Sequence, residues 1–228
     1  MANTDTKFTM TAPASLYFPS LIEAKAYAPK GKKAAPDAKK KFSSGFLFAA
    51  DHPDVGPLKA AILAAAKSLF PTLNIADEYK AGRFKLPFRA GEKELQVYQS
   101  KLTEQGKEYT GQRDWLKGKI KFQADSGEDI PPKLGVRKDG QDIDITAENR
   151  GLHKAAFYSG VDALAMFVIH PYEINSNAAP GVKLYLSLVH SLNRGKPHFE
   201  GMSASEVFKG VAGGTVNEDP TGDDEIPF

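Results

Sequence analysis

The sequence predicts a mainly β protein, an antiparallel barrel or sandwich. Short runs with period-2 alternation recur along the chain, and turn residues separate them. Fourteen Phe and eight Tyr among 228 residues supply the aromatic content of strand-rich cores. Only one segment, Leu58 to Phe70, has the alanine content and spacing of a helix. Pattern alone does not choose between barrel and sandwich.

Lys7 to Phe18 carries β-branched and aromatic residues and reads as a first strand, with Leu21 to Tyr27 extending it past Pro19. Pro29 to Lys41 is a loop holding six lysines (Lys30, Lys32, Lys33, Lys39, Lys40, Lys41) against Asp37. Phe42 to Phe48 is a second strand. In the helix that follows, Leu58, Ile62, Ala65 and Leu69 share a face, and Pro57 and Pro71 bracket it. Arg83 to Arg89 alternates Phe84, Leu86 and Phe88 with Arg83, Lys85 and Arg89. Trp115 to Phe122 places Leu116, Gly118, Ile120 and Phe122 on one face. Trp115, Lys117, Lys119 and Lys121 take the other. Lys133 to Ile145 is a hairpin about Asp139-Gly140. Phe157 to His170 and Val182 to His190 are the most apolar strands, joined by a polar loop at Asn175 to Gly181. A short helix is expected after Ser203 or Ser205, and Gly213-Gly214 opens a linker. The division is a body, residues 1–211, and a flexible tail, residues 212–228.

Composition narrows the chemistry. Without cysteine there is no disulfide, no Cys-ligated zinc, no iron–sulfur cluster and no thiol catalysis. Met1 to Thr11 is polar, with no apolar signal core, and no apolar run is long enough to span a membrane. His52, His153, His170, His190 and His198 have no metal-ligand spacing among themselves. No phosphate-binding glycine motif is present. No cofactor is expected.

Charge is unevenly placed. The net formal charge is +2, but Asn217 to Phe228 holds five acids and no base. The remainder has 30 basic against 23 acidic residues, a formal charge of +7. A basic body with an acidic tail suits a polyanion ligand and a polyanion mimic on one chain.

The basic strands are the strongest internal signal. On an extended face, Trp115, Lys117, Lys119 and Lys121 would set cations about 7 Å apart, near the phosphate spacing of an extended single strand, beside a ring on which a base can stack. Arg83, Lys85 and Arg89 extend that face. The loop lysines Lys32, Lys33, Lys39, Lys40 and Lys41 would track phosphates, and Phe42 at the loop junction is a second candidate for stacking. A solvated edge strand guarded by lysines is the plainer alternative. Asp142 and Asp144, on alternate positions of one strand, could hold Mg²⁺ in a nucleic-acid enzyme, or could simply face solvent.

The chain ends in Asp223-Asp224-Glu225-Ile226-Pro227-Phe228, a run of carboxylates closing on an apolar knob and a terminal charge. Basic-rimmed pockets capture such tips. This ending resembles that of bacterial single-stranded DNA-binding proteins, whose tails finish in a run of Asp followed by Ile-Pro-Phe; here Glu225 stands directly before Ile226. A second tract runs from Phe157-Tyr158-Ser159-Gly160 through the two apolar strands. It continues through Asn193-Arg194-Gly195-Lys196-Pro197 to Ser203-Ala204-Ser205-Glu206-Val207-Phe208. That order resembles a family of tailed-phage single-stranded DNA-binding proteins, although Val161 stands where a small polar residue or Cys is expected.

The resemblance implies an OB-fold barrel with additions, binding single-stranded DNA without enzymatic activity in the cytoplasm of an infected bacterial host. It also implies a tail that recruits replication or recombination proteins. An exposed strand edge would permit self-association. The rival expectations are a metal-dependent enzyme using Asp142 and Asp144, and a β-rich adaptor that binds a protein through Ile226, Pro227 and Phe228.

Overall fold

The computed structural model describes residues 6–26, 38–173 and 179–198. Lys32, Lys33, the expected helix after Ser203, the Gly213-Gly214 linker and the tail Asp223 to Phe228 lie outside them. The strands are β1 (Thr6–Thr9), β2 (Ala14–Ala26), β3 (Lys40–Ala49), β4 (Phe88–Ala90), β5 (Lys119–Gly127), β6 (Lys133–Lys138), β7 (Gln141–Ile145), β8 (Asp162–Tyr172) and β9 (Gly181–Ser191). The helices are α1 (Val55–Leu69), α2 (Ile75–Lys80) and α3 (Gly91–Glu104), with 3-10 turns at Asp114–Leu116 and Arg150–Ala156.

Five strands close on themselves. β2 pairs with β3 and β3 with β5, both antiparallel; β5 runs parallel to β9 at Ala124↔Leu184; β9 pairs antiparallel with β8; and β8 returns to β2 at Ala14↔Ala163. This is the OB arrangement, with β2, β3, β5, β8 and β9 as its first to fifth strands. β1 continues the β2 edge along β8, from Thr6↔Ile169, and the β6–β7 hairpin continues the β5 edge along β9, from Lys133↔Leu188. Closure pairs strand edges that would otherwise invite aggregation.

Alternation fills the barrel. Phe46 and Phe48 from β3, Phe122 from β5 and Phe167 from β8 are fully buried. Phe46 meets Phe167 edge-on at 5.0 Å between centroids, and Phe48 meets Phe122 at 5.1 Å. Such aromatic pairs contribute about 0.5–1.5 kcal/mol beyond their buried area. The helix expected over Leu58 to Phe70 forms as α1, three residues longer at its start. It turns Leu58, Ile62 and Ala65 into the core and packs on β8, β9 and β1. Its preceding Asp54 is buried, but its carboxylate does not cap the helix. It accepts from the Thr11 amide at 2.9 Å, the Thr11 hydroxyl and the Ala12 amide at 3.1 Å, pinning the kink between β1 and β2.

The expected hairpin forms with Asp139 (φ 52°) and Gly140 (φ 79°) both in the left-handed region that its two-residue turn requires. Three expectations need correction. The first strand is two, because Pro13 and the Asp54 contacts interrupt it. Of the run Arg83 to Arg89 only Phe88 and Arg89 belong to a strand; the rest leaves α2 and reaches β9 through an isolated pairing of Lys85 with Gly181. And α2 and α3 form where the apolar pattern predicts no helix.

Candidate nucleic-acid interface

In an OB barrel the face of strands two and three, with the 1–2 and 4–5 loops, binds oligonucleotides. Here those are β3 and β5, the lysine-rich segment 27–39 between β2 and β3, and the segment 173–180 between β8 and β9. The lysine-rich segment leads directly into β3. Lys39, Lys40 and Lys41 at its described end are exposed, and Lys25 stands beside Lys41 in register. Lys41 Nζ lies 3.3 Å from Asp125, and Lys40 Nζ lies 3.4 Å from Glu128, both in open, solvated pairs.

Phe42 does not join them. It is 6% exposed, and the Arg150 guanidinium covers its ring at 5.2 Å. Period 2 turns it inward with Ser44, Phe46 and Phe48, so it offers no surface to a base.

The expected single face of Trp115, Lys117, Lys119 and Lys121 does not form. Trp115 sits in a 3-10 turn held by Leu116 N–H to Arg113 O at 3.0 Å and by Lys117 N–H to Asp114 O at 3.0 Å. Gly118, at φ 67°, reverses the chain before β5 starts at Lys119. The Trp115 indole is stacked on His198, with centroids 4.1 Å apart, and meets Tyr17 edge-on at 5.8 Å. Lys117 pairs with Asp114 at 3.0 Å.

Lys121 points outward from β5 but is 7% exposed, because α3 lies over it. Its Nζ donates to Glu94 at 2.9 Å, and Arg89 also pairs with Glu94. Burial pushes the Lys121 ammonium below its ordinary range, and Glu94 opposes that shift. Tyr17, Leu47, Leu95 and Leu116 form the small apolar cluster that seats α3 here. Arg83 is spent on Glu78, which it grips through two bonds of 2.7 and 2.8 Å.

Lys85 and Arg89 are better placed. They line a cleft of about 600 Å³ with Lys121, Gln123 and Asp125 of β5, Tyr172 at the end of β8 and Lys183 near the start of β9, although Glu94 holds the Lys121 ammonium. The segment Lys85 to Arg89 builds one wall by bridging two strands. Lys85 N–H donates to Pro180 O at 2.8 Å, Val182 N–H to Lys85 O at 3.0 Å and Gln123 N–H to Pro87 O at 2.8 Å. Gly181 makes that approach possible, since a Cβ there would lie 2.5 Å from Lys85 O. Lys183 Nζ sits 5.4 Å from the Tyr172 ring centre. Among the described residues, neither Lys85 nor Lys183 has an ion-pair partner. Tyr172 and Lys183 were not singled out from sequence, although they flank the polar loop between the two most apolar strands.

Asp142 is engaged elsewhere. Arg137 holds both its oxygens, at 2.8 and 3.0 Å, and keeps its carboxyl below the usual range; His190 Nε2 adds a contact at 3.1 Å. Asp144 follows at the next outward position of β7, and among the described residues no three His, Asp or Glu side chains converge as metal ligands.

Solved structures share this architecture. The single-stranded DNA-binding protein from bacteriophage Enc34 aligns with a TM-score of 0.53 over 87% of this chain and 86% of its own, at 13% identity. Its complex with ssDNA gives 0.52 over 84% and 87%, also at 13% identity. The single-stranded DNA-binding protein gp2.5 of bacteriophage T7 aligns over 97% of this chain and 100% of its own, with a TM-score of 0.49 and 14% identity. No family profile and no curated protein matches the sequence. The chain thus has the OB-type barrel seen in phage single-stranded DNA-binding proteins.

Proposed function

We propose that this protein binds single-stranded DNA, largely without regard to sequence, and is not an enzyme. The observation that carries the reading is the cleft. Lys85, Arg89, Lys183 and Tyr172 line it together with Gln123 and Asp125 of the β5 face. It continues through Asp125 to Lys41 at the mouth of the lysine-rich loop. Cations release counterions from phosphates, and an aromatic ring accepts any base by stacking. The Enc34 protein, whose barrel this chain shares, has been solved in complex with ssDNA. In this reading Lys39, Lys40, Lys41, Lys85, Arg89 and Lys183 take phosphates and Tyr172 takes a base; Lys32 and Lys33, outside the described residues, are assigned to phosphates from the sequence alone.

The wider role is protection of single strands during phage DNA replication or recombination, in the cytoplasm of an infected bacterium. Residues 1–211 form the binding body. The acidic tail competes with DNA for the body's cations, and DNA binding leaves Ile226, Pro227 and Phe228 available to replication or recombination proteins. The opposite charges of body and tail support this exchange. Copies pair through an open strand edge such as β7, an end of the sheet.

The test is an anisotropy titration of labelled oligo(dT) at several salt concentrations. Binding that weakens linearly on a log–log plot, by about 0.7 per phosphate engaged, supports the reading. No binding at low salt, with the tail present or removed, overturns it.

A further inference from the structure

The cleft holds a carboxylate where a groove built only for phosphates would have none. Asp125 stands on the outward row of β5, two positions beyond Gln123, and both side chains line the cleft. The Asp125 side chain is 27% exposed, and its partner is Lys41 at 3.3 Å. That pair is open to water, so parting it costs little. Lys41 can turn to a phosphate while Asp125 stays in the cleft. A carboxylate on the phosphate path opposes binding, whereas one that faces the bases meets hydrogen-bond donors. Tyr172 lines the same cleft, and about 600 Å³ is room enough for an unstacked nucleotide.

We propose that Asp125 makes this cleft a base-reading subsite that prefers guanine. The inference rests on the single-stranded DNA reading of the groove. Proteins that bind single strands reach the Watson–Crick edges that a duplex hides. Guanine presents N1–H and the N2 amino group side by side there, and the two oxygens of one carboxylate accept both. Cytosine and adenine offer a single amino group. Thymine offers one N3–H between two carbonyl oxygens, which a carboxylate repels. The subsite therefore adds a modest preference to binding that otherwise tolerates every sequence.

The test titrates the full chain with three labelled oligonucleotides of equal length: dT alone, dT interrupted by isolated dG, and the same with deoxyinosine in place of dG. Inosine retains N1–H and O6 but lacks the N2 amino group, so it separates the hydrogen bond from stacking. The dG strand should bind about fivefold more tightly than the inosine strand, the low end for a bidentate base contact. Asp125→Asn should bring the dG and inosine strands to equal affinity. Equal affinity for dG and inosine strands in a parent that binds dT well overturns the subsite and leaves the groove intact. So does a guanine preference that survives in Asp125→Asn. Failure of all three strands to bind at low salt overturns the single-stranded DNA reading, and this inference with it.

Discussion

The imidazole of His198 lies flat on the indole of Trp115, with ring centroids 4.1 Å apart and planes 7° from parallel. His198 Nε2 is 3.0 Å from Ser15 Oγ, and its backbone N–H donates to Ser159 O at 2.9 Å. The stack thus fastens the last described residue to β2, to the segment before β8 and to the turn that carries the only tryptophan.

That fastening should depend on pH. Burial holds His198 below the ordinary histidine range, and the nearby Lys119 charge adds to the effect. With a lowered native pKa, the unfolded chain takes up the proton first as pH falls. Stability from the neutral ring is fully present above about pH 6.5 and declines as pH drops below that toward the native value. Thermal midpoints measured between about pH 7 and pH 5 should fall more steeply in the parent than in His198→Phe, which keeps a stacking ring without the titration. Parallel profiles would remove His198 from this role.

Gly181 should be intolerant of a side chain. A Cβ there would meet Lys85 O at 2.5 Å and Tyr172 Oη at 2.8 Å, both on walls of the cleft. Gly181→Ala should cost about 1–3 kcal/mol in chemical denaturation, the usual penalty of overpacking, and should weaken oligonucleotide binding as well. Parent-like stability would mean that the segment at Lys85 is loosely held.

Tyr172 should act through its ring. Tyr172→Ala should weaken oligo(dT) binding by about 1–3 kcal/mol, the range for one stacked base, while Tyr172→Phe should bind like the parent. If Tyr172→Phe lost as much as Tyr172→Ala, the hydroxyl rather than stacking would be the contact.

Lys121 should matter to folding rather than to DNA. It is buried against Glu94, which Arg89 also engages. Lys121→Met should lower stability by up to about 3 kcal/mol, the scale of a broken buried pair. The salt dependence of binding should stay unchanged. A shallower salt slope in Lys121→Met would show that DNA displaces α3 and reaches this ammonium.

Removing Asn217 to Phe228 takes away five acids and no base. The truncated chain should bind oligo(dT) more tightly than the full chain, most of all at low salt, where charges are least screened. Equal or weaker binding would contradict competition by the tail.

The parts of the fold legible in the sequence are those set by local chemistry. Asp139-Gly140 demands its turn, the β8 and β9 alternations announce buried strands, and Pro57 and Pro71 bracket α1. α3 escaped because its apolar face is thin. Leu95 is its main buried apolar contact, and much of its surface faces solvent. Missing α3 carried the error to Lys121, whose burial comes from a residue 27 positions earlier in the chain. The alternation from Trp115 to Phe122 imitates a strand, but Gly118 breaks it by a backbone rotation that the apolar pattern does not register. The cleft was half legible. Lys85 and Arg89 stood out as cations, while Tyr172 and Lys183 gain meaning only when barrel closure brings β9 beside β5.

The most direct test of the central claim compares the parent with the Lys85→Ala/Lys183→Ala double variant in oligo(dT) titrations across salt concentration. If these cations hold phosphates in the cleft, the log–log salt slope should become shallower by about 1.4, two phosphates' worth, with thermal stability unchanged. A double variant with the parent's affinity and slope would place single-stranded DNA elsewhere on the protein and contradict the account.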